Sequence, residues 1–230
     1  MLNRPHTTVV LAMSADGKIA DVTHSPARFS TVADLAHLER QVAAADAVLF
    51  GAGTLRAYGT TISVTNPQLL QMRLQRGMSL QPAQIVCSRQ VDFDPQLRFF
   101  KQQIPRWLLT TTVGLGQLQK LSLVGSFERI LVAKTEKAGL DWFDAFVQLR
   151  QLGIEDLAIL GGGSIVASLL AVDLIDELWL TVCPLILGGT AAPTPVDGEG
   201  FPWQVAPLLE LVEVQTIEQE VFLHYRRQRS

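Results

Sequence analysis

Two stretches, "VLFGAGTLRAYG" and "AILGGGSIVASLL", share one design: an apolar run, glycines with a hydroxyl residue, then a run at helical spacing. The first supplies Gly51, Gly53 and Thr54, the second Gly161, Gly162, Gly163 and Ser164. Glycine lets the backbone come close to a ligand, and the first N–H groups of the following helix have no partner within it, so they favour an anion. The hydroxyl of Thr54 or Ser164 can cap the helix or donate to a phosphate oxygen. Two such turns suit a dinucleotide with its pyrophosphate, while close packing at a tight turn is the structural use of the same residues. "MSADGKIA" sets Asp16, Gly17 and Lys18 behind the first apolar run, where an acid and a base can position a polar substrate or stabilise developing charge. In "CSRQ", Arg89 beside the hydroxyl of Ser88 suits a phosphate monoester such as the 2′-phosphate of NADPH; a solvated arginine is the alternative.

Several chemistries are absent. Neither glycine turn reads Gly-x-Gly-x-x-Gly, and the first apolar run leads into "SADGKIA", which disfavours an ordinary Rossmann dehydrogenase. No Gly-Lys-Ser/Thr marks a P-loop, no Gly-x-Ser-x-Gly a hydrolase elbow, and no His-x-Glu with Pro-Cys-x-x-Cys a zinc deaminase. The four histidines show no metal-ligand spacing, so no metal is expected. Cys87 and Cys183 each sit in an apolar run, as buried free thiols do, which sets a reducing cytoplasm as the default.

The elements that must hold these residues follow from periodicity. The chain has 230 residues, 48% hydrophobic and 18% charged, with a formal net charge of −3. That is ample for a buried core and gives no sign of a nucleic-acid or membrane partner. Arg226, Arg227 and Arg229 read as a solvated basic tail, and the N-terminus reads as lacking a signal peptide. Strands are predicted at Thr7–Met13, Ala47–Phe50, Gln84–Cys87, Trp107–Thr111, Ile130–Ala133, Asp156–Leu160 and Glu177–Val182. Helices are predicted from Ser30 through "STVADLAHLERQVAAA", over Asp141–Leu152 and over Ser164–Ala171. Such alternation argues for an α/β fold with a largely parallel sheet. "LLELVEVQTIEQEVFLHYRRQ" alternates at period two around Glu218-Gln219, as an antiparallel hairpin closing the sheet edge would. Asn66–Gln84 reads as an irregular surface excursion, "GGTAAPTPVDGEGFP" as a long loop of the kind often tied to function, and no linker divides the chain.

The order "MSADGKIA", "ARFS", "DAVLFGAGTLRA", "CSRQ", "LGGGSIVASLLAVDLIDELWLTVCPLILGG" resembles the reductase domain of the riboflavin-biosynthesis deaminase/reductase, of the dihydrofolate-reductase-like superfamily. The resemblance implies a central mixed sheet flanked by helices on both faces, one reductase domain over 1–230 without a deaminase domain, and a cytoplasmic homodimer. It implies NADPH as cofactor and reduction of the ribose of 5-amino-6-(5-phosphoribosylamino)uracil to a ribityl chain. Carried over by position, Gly51, Gly53, Thr54 and Gly161, Gly162, Gly163, Ser164 are cofactor turns, Ser88 and Arg89 lie near the adenosine phosphate, and Thr110 lies near its ribose. Asp16 and Lys18 stand at the reacting end, Lys18 as a polar contact to the pyrimidine. Ser30 matches a segment that approaches cofactor or substrate, with Arg28 where that segment usually has Trp. The family's acidic or amide pair after the first turn is replaced by Tyr58 and Gly59, and its Glu before the second turn by Leu160. These departures keep two other readings open: a reductase of the same fold with another heterocycle, pterin-like, and a nucleotide-binding protein without turnover.

Overall fold

The computed structural model describes residues 3–121, 123–136 and 139–229; Met1 and Leu2, at which the signal-peptide reading begins, lie outside them. In chain order the elements are β1 (His6–Ser14), α1 (Val32–Ala44), β2 (Ala47–Gly51), α2 (Ala52–Tyr58), α3 (Pro67–Gln75), β3 (Ala83–Ser88), β4 (Arg106–Thr110), α4 (Thr112–Lys120), β5 (Arg129–Val132), β6 (Thr135–Glu136), β7 (Gly139–Leu140), α5 (Trp142–Gln151), β8 (Asp156–Ile159), α6 (Gly163–Ala171), β9 (Glu177–Cys183), β10 (Leu209–Ile217) and β11 (Glu220–Arg227). This is the mixed α/β fold read from the sequence, with mostly parallel strands and a C-terminal antiparallel pair.

The chain condenses into two compact units, Met1–His6 with Glu39–Leu157, and Thr7–Leu38 with Ala158–Ser230. The divisions fall inside β1, α1 and β8 rather than in loops, so no linker in the sequence announces them.

In the first unit β2, β3, β4 and β5 lie side by side and all parallel, with Ile85, Val86, Leu108 and Leu109 at their buried centre. Phe146 and Leu149 of α5 and Leu118 of α4 are fully buried apolar side chains, as an amphipathic helix requires. Side chains cap three of its helices: Asn66 for α3, Thr111 for α4 and Asp141 for α5. Two of these helices correct the sequence reading. Asn66–Gln84, read as irregular, holds α3, and its Arg73 is completely buried, donating to the carbonyls of Ala43, Ala45 and Ser79. Thr112–Lys120, not read as an element, is α4, disguised by Gly114 and Gly116.

In the second unit β10, β11, β9 and β1 follow one another, β1 and β9 parallel and the rest antiparallel. The N-terminal half of α1 covers one face, where His37 meets the rings of Trp179 and Phe222 at 4.6 and 5.2 Å. Thr31, not Ser30, caps α1, accepting from the amides of Ala33 and Asp34. The C-terminal arginines are not a solvated tail. Arg226 pairs with Glu177, Arg227 with Asp173, and Arg229 with both Asp173 and Asp176.

Candidate active site

In the first unit, parallel register lines up the residues chosen from the sequence. Gly51 stands opposite Cys87, and Ser88 opposite Thr110, at the carboxyl ends of β2, β3 and β4, where open α/β sheets bind ligands. Gly51 begins α2 with no side-chain cap, Gly53 has open space where a Cβ would stand, and Thr54 is half-buried. Tyr58 is exposed at the end of α2, and Gly59 closes that helix in the left-handed region at φ 67°.

Thr110 is completely buried, and its hydroxyl donates to the Ser88 carbonyl at 2.7 Å, so it braces the end of β3. Ser88 in turn donates to the Gln90 carbonyl. The Thr111 hydroxyl donates to the Arg89 carbonyl at 2.9 Å, which pins the backbone while the Arg89 side chain stays exposed. Gly114 makes this possible: a Cβ there would stand 2.0 Å from the Thr110 hydroxyl and 2.8 Å from the Arg89 carbonyl. Sequence reasoning missed Gly114, whose only local sign is its place three residues after the capping Thr111. Cys87 is buried, which lifts its thiol to about 12, so it is inert as a nucleophile.

In the second unit the "SADGK" turn and the second glycine turn are tied to one loop. The Asp16 carboxylate accepts from the Ser14 hydroxyl at 2.6 Å and from the amides of Leu187 and Gly188 at 3.1 and 2.7 Å. These bonds, the Ser14 hydroxyl foremost, hold its carboxyl down at about 2. Asp16 is therefore a permanently ionised anchor rather than a proton donor. The Lys18 ammonium donates to the Ala192 carbonyl at 3.2 Å, and Ile19 N–H to that of Pro193.

Further along the loop, Asp197 N–H donates to the Gly163 carbonyl, and the Asp197 carboxylate accepts from Thr194. A Cβ at Gly163 would stand 2.3 Å from the Thr194 carbonyl and 2.7 Å from the Asp197 carboxylate. Gly163 is thus glycine because this loop packs on it, whereas Gly161 takes φ 100° beside Leu11 and is joined to Gly162 by a cis peptide. Ser164 is exposed, and Leu160 is half-buried. Thr194 and Asp197 were missed as individuals, although the long Gly/Pro loop was flagged.

Ser30 belongs to a different cluster. Its side chain bonds Asp34, whose carboxyl burial pushes up, with Glu220 adding to the rise and Thr181 and Ser30 opposing it. Glu220, completely buried, accepts from the Thr31 amide and hydroxyl and from the Cys183 thiol. Burial foremost, with the bond to Glu220, lifts that thiol to about 12. Arg28 is exposed two residues before Ser30.

A dinucleotide cofactor has a concrete requirement: backbone N–H groups not already taken. The helices α1, α3, α4 and α5 carry side-chain caps, whereas α2 and α6, behind the two glycine turns, begin on Gly51 and Gly162 without one. In the first unit, the uncapped start of α2, the open space at Gly53 and the exposed Arg89 fit a phosphate-bearing group. At α6 the carboxylate of Asp197 lies on the Gly163 side, and Ser164 is exposed. Among the described residues, no group of three or more His, Cys, Asp or Glu could hold a metal, and no helix is long and apolar enough to cross a membrane.

Comparison with known proteins gives the family and the fold. A 2,5-diamino-6-ribosylamino-4(3H)-pyrimidinone 5′-phosphate reductase of Archaeoglobus fulgidus is 28% identical over 198 residues, covering 86% of this chain and 89% of the relative. The solved structure of a pyrimidine reductase-like protein of Corynebacterium diphtheriae superposes with a TM-score of 0.81 at 22% identity, covering 99% and 94% of the two chains. A dihydrofolate reductase of Enterococcus faecalis, solved with NADP(H), superposes with a TM-score of 0.50 at 13% identity, covering 97% of each chain; it shares the dihydrofolate-reductase-like fold. The sequence model of the RibD C-terminal domain matches residues 5–223, so both glycine turns and the "SADGK" turn fall within a single match that ends inside β11, and the chain belongs to the RibD C-terminal domain family.

Proposed function

We propose that this chain is an NADPH-dependent reductase of riboflavin biosynthesis, acting in the cytoplasm as a homodimer with residues 1–230 as one reductase domain. The observation that carries the reading is the loop from Leu185 to Asp197, which bonds the turn holding Asp16 and Lys18 and the glycine turn at Gly163. A scaffold of that kind holds the residues at the reacting end and the phosphate-binding turn in one arrangement, which is what hydride transfer needs from a protein.

The substrate is a ribosylamino-pyrimidine 5′-phosphate. The resemblance points to the uracil form, and the Archaeoglobus fulgidus relative is named for the 2,5-diamino form; the two share the sugar that reacts. Bound NADPH would supply the hydride for reduction at C1′ of the sugar, with the accompanying proton drawn from solvent. Gly51, Gly53 and Thr54 in the first unit, and Gly161, Gly162, Gly163 and Ser164 in the second, are the turns assigned to the cofactor, Gly163 by shaping its turn. Arg89 pairs with the 2′-phosphate, beside Ser88 and Thr110, which hold the strand ends. Lys18 donates to the pyrimidine, Asp16 fixes the loop that carries Lys18's partner, and Arg28 and Ser30 lie on the segment that approaches the substrate.

Leu160 and Tyr58 favour a second reading, in which the same machinery reduces another heterocycle, because both stand where a polar group would bond the substrate. NADPH carrying deuterium at the transferable position distinguishes the two. Deuterium at C1′ of a ribityl product supports the ribosylamino-pyrimidine. Deuterium entering only a pterin-like ring carbon would replace it with the second reading.

A further inference from the structure

Three buried residues line up across the second unit. Ser14 ends β1 and stands opposite Cys183, which ends β9. The Cys183 thiol donates at 3.4 Å to the carboxylate of Glu220, the first residue of β11. All three are completely buried. Register partners point to the same side of a sheet, so the row is one line of side chains on one face. It lies at the carboxyl ends of the parallel strands β1 and β9, the end at which such sheets bind ligands. Its Ser14 end is tied to the turn of Asp16 and Lys18, because the Ser14 hydroxyl donates to the Asp16 carboxylate and accepts from the Lys18 amide at 2.9 Å.

Its Glu220 end reaches the segment of Arg28 and Ser30. The Glu220 carboxylate accepts from Thr31 twice, from the amide at 3.1 Å and from the hydroxyl at 2.5 Å. The residue before, Ser30, bonds Asp34, which also bonds Thr181 on β9. Two neighbouring residues of the segment are thus fastened to one strand end by two buried carboxylates. The Thr31 hydroxyl also accepts from the amides of Ala33 and Asp34, so one residue joins strand, loop and helix. Burying a carboxylate costs far more than burying an apolar side chain of similar size. An apolar residue would also hold the segment against the strand. Two directed bonds to one residue fix its orientation as well.

We infer that Glu220 is a positioning residue for the substrate: through Thr31 it sets Ser30 and Arg28 in fixed relation to the turn of Asp16 and Lys18. The inference rests on the reductase reading above, in which Arg28 and Ser30 approach the substrate. Glu220 is completely buried and acts only through the residues it bonds. Those partners, Thr31 and Cys183, lie outside both glycine turns, so loss of the carboxylate falls on the pyrimidine rather than on NADPH.

Steady-state kinetics of the full chain with NADPH and the ribosylamino-pyrimidine 5′-phosphates test this, with NADPH affinity titrated separately. Glu220→Leu removes the acceptor at similar volume, Glu220→Gln keeps one acceptor oxygen, and Thr31→Val removes the donor hydroxyl. Glu220→Leu and Thr31→Val are expected to lower kcat/KM for the pyrimidine by roughly tenfold to a hundredfold at unchanged NADPH affinity, with Glu220→Gln recovering part of the loss. Only Thr31→Val also removes the α1 cap, so agreement between the two isolates the bonds to Glu220. Thr31 is half-buried, and its variant keeps the test open if Glu220→Leu fails to fold. Folded variants with the wild-type kcat/KM, even at a lower thermal midpoint, would overturn this role and leave the reductase reading standing. An equal weakening of NADPH would also overturn it, because the damage would then be general. A wild type that consumes NADPH with neither pyrimidine would overturn both.

Discussion

The amide of Gly188 donates to the carboxylate of Asp16 at 2.7 Å, so a residue at the end of the first strand holds a loop that follows β9. With Leu187 N–H and the Ser14 hydroxyl on the same carboxylate, Asp16 stays ionised down to about pH 2. A carboxyl whose folded value lies below its ordinary 3.8 stabilises the fold above that ordinary value and loses this stabilisation as pH falls toward 2. Asp16→Asn should thus flatten the acid limb of the stability profile between about pH 4 and pH 2 and lower stability at neutral pH. Urea midpoints across that window check it; an unchanged slope would show that the anchor carries no linkage.

The two glycine turns should respond differently to a methyl group. Gly163→Ala places a Cβ against the Thr194 carbonyl and Asp197, and should cost about 1–3 kcal/mol through overpacking. Gly53→Ala meets nothing within 4 Å and lies inside α2, so it should leave stability unchanged or raise it by up to about 1 kcal/mol. On the cofactor reading, Gly53→Ala nonetheless weakens NADPH binding, because the space it fills is the cofactor's. Thermal midpoints and NADPH titrations of the two variants separate packing from binding.

Arg73→Leu should be among the most damaging substitutions in the first unit. It would strip the carbonyls of Ala43, Ala45 and Ser79 of their buried donor, at a cost of about 3 kcal/mol or more, read as a drop in the urea midpoint. A change within about 0.5 kcal/mol would show that water replaces the guanidinium there.

That arginine also marks where the sequence stops being legible. The central strands, α5, α6 and the hairpin were readable because apolar runs end at glycine or at a capping residue. In "PQLLQMRLQ" the buried slot is filled by a charged side chain, so the segment carries the pattern of a solvated surface while Arg73 bonds carbonyls elsewhere in the chain. In "TVGLGQLQK" two glycines hide a helix, one of them needed only because Thr110 and Arg89 crowd it. The site shows the same division. Glycine turns and "SADGK" are local patterns, whereas Asp197 reaches Gly163 across more than thirty residues, and no local pattern encodes that contact.

Arg89 should decide between the two nicotinamide cofactors. Its backbone is pinned by Thr111 and its side chain is exposed, which suits a charge-assisted bond to the 2′-phosphate. Arg89→Ala should weaken NADPH by roughly tenfold to a hundredfold and leave NADH nearly unchanged. Equal weakening of both would remove Arg89 from 2′-phosphate recognition.

The most direct measurement mixes the purified chain with NADPH and either ribosylamino-pyrimidine 5′-phosphate, deaminated or diamino, and follows the reduced-nicotinamide absorbance with the product analysed by mass. Loss of that absorbance is expected, matched one for one by ribityl product, with NADH a much poorer donor. Cofactor binding without consumption on either pyrimidine would contradict the proposed reaction, and no NADPH binding at all would contradict the account at its root.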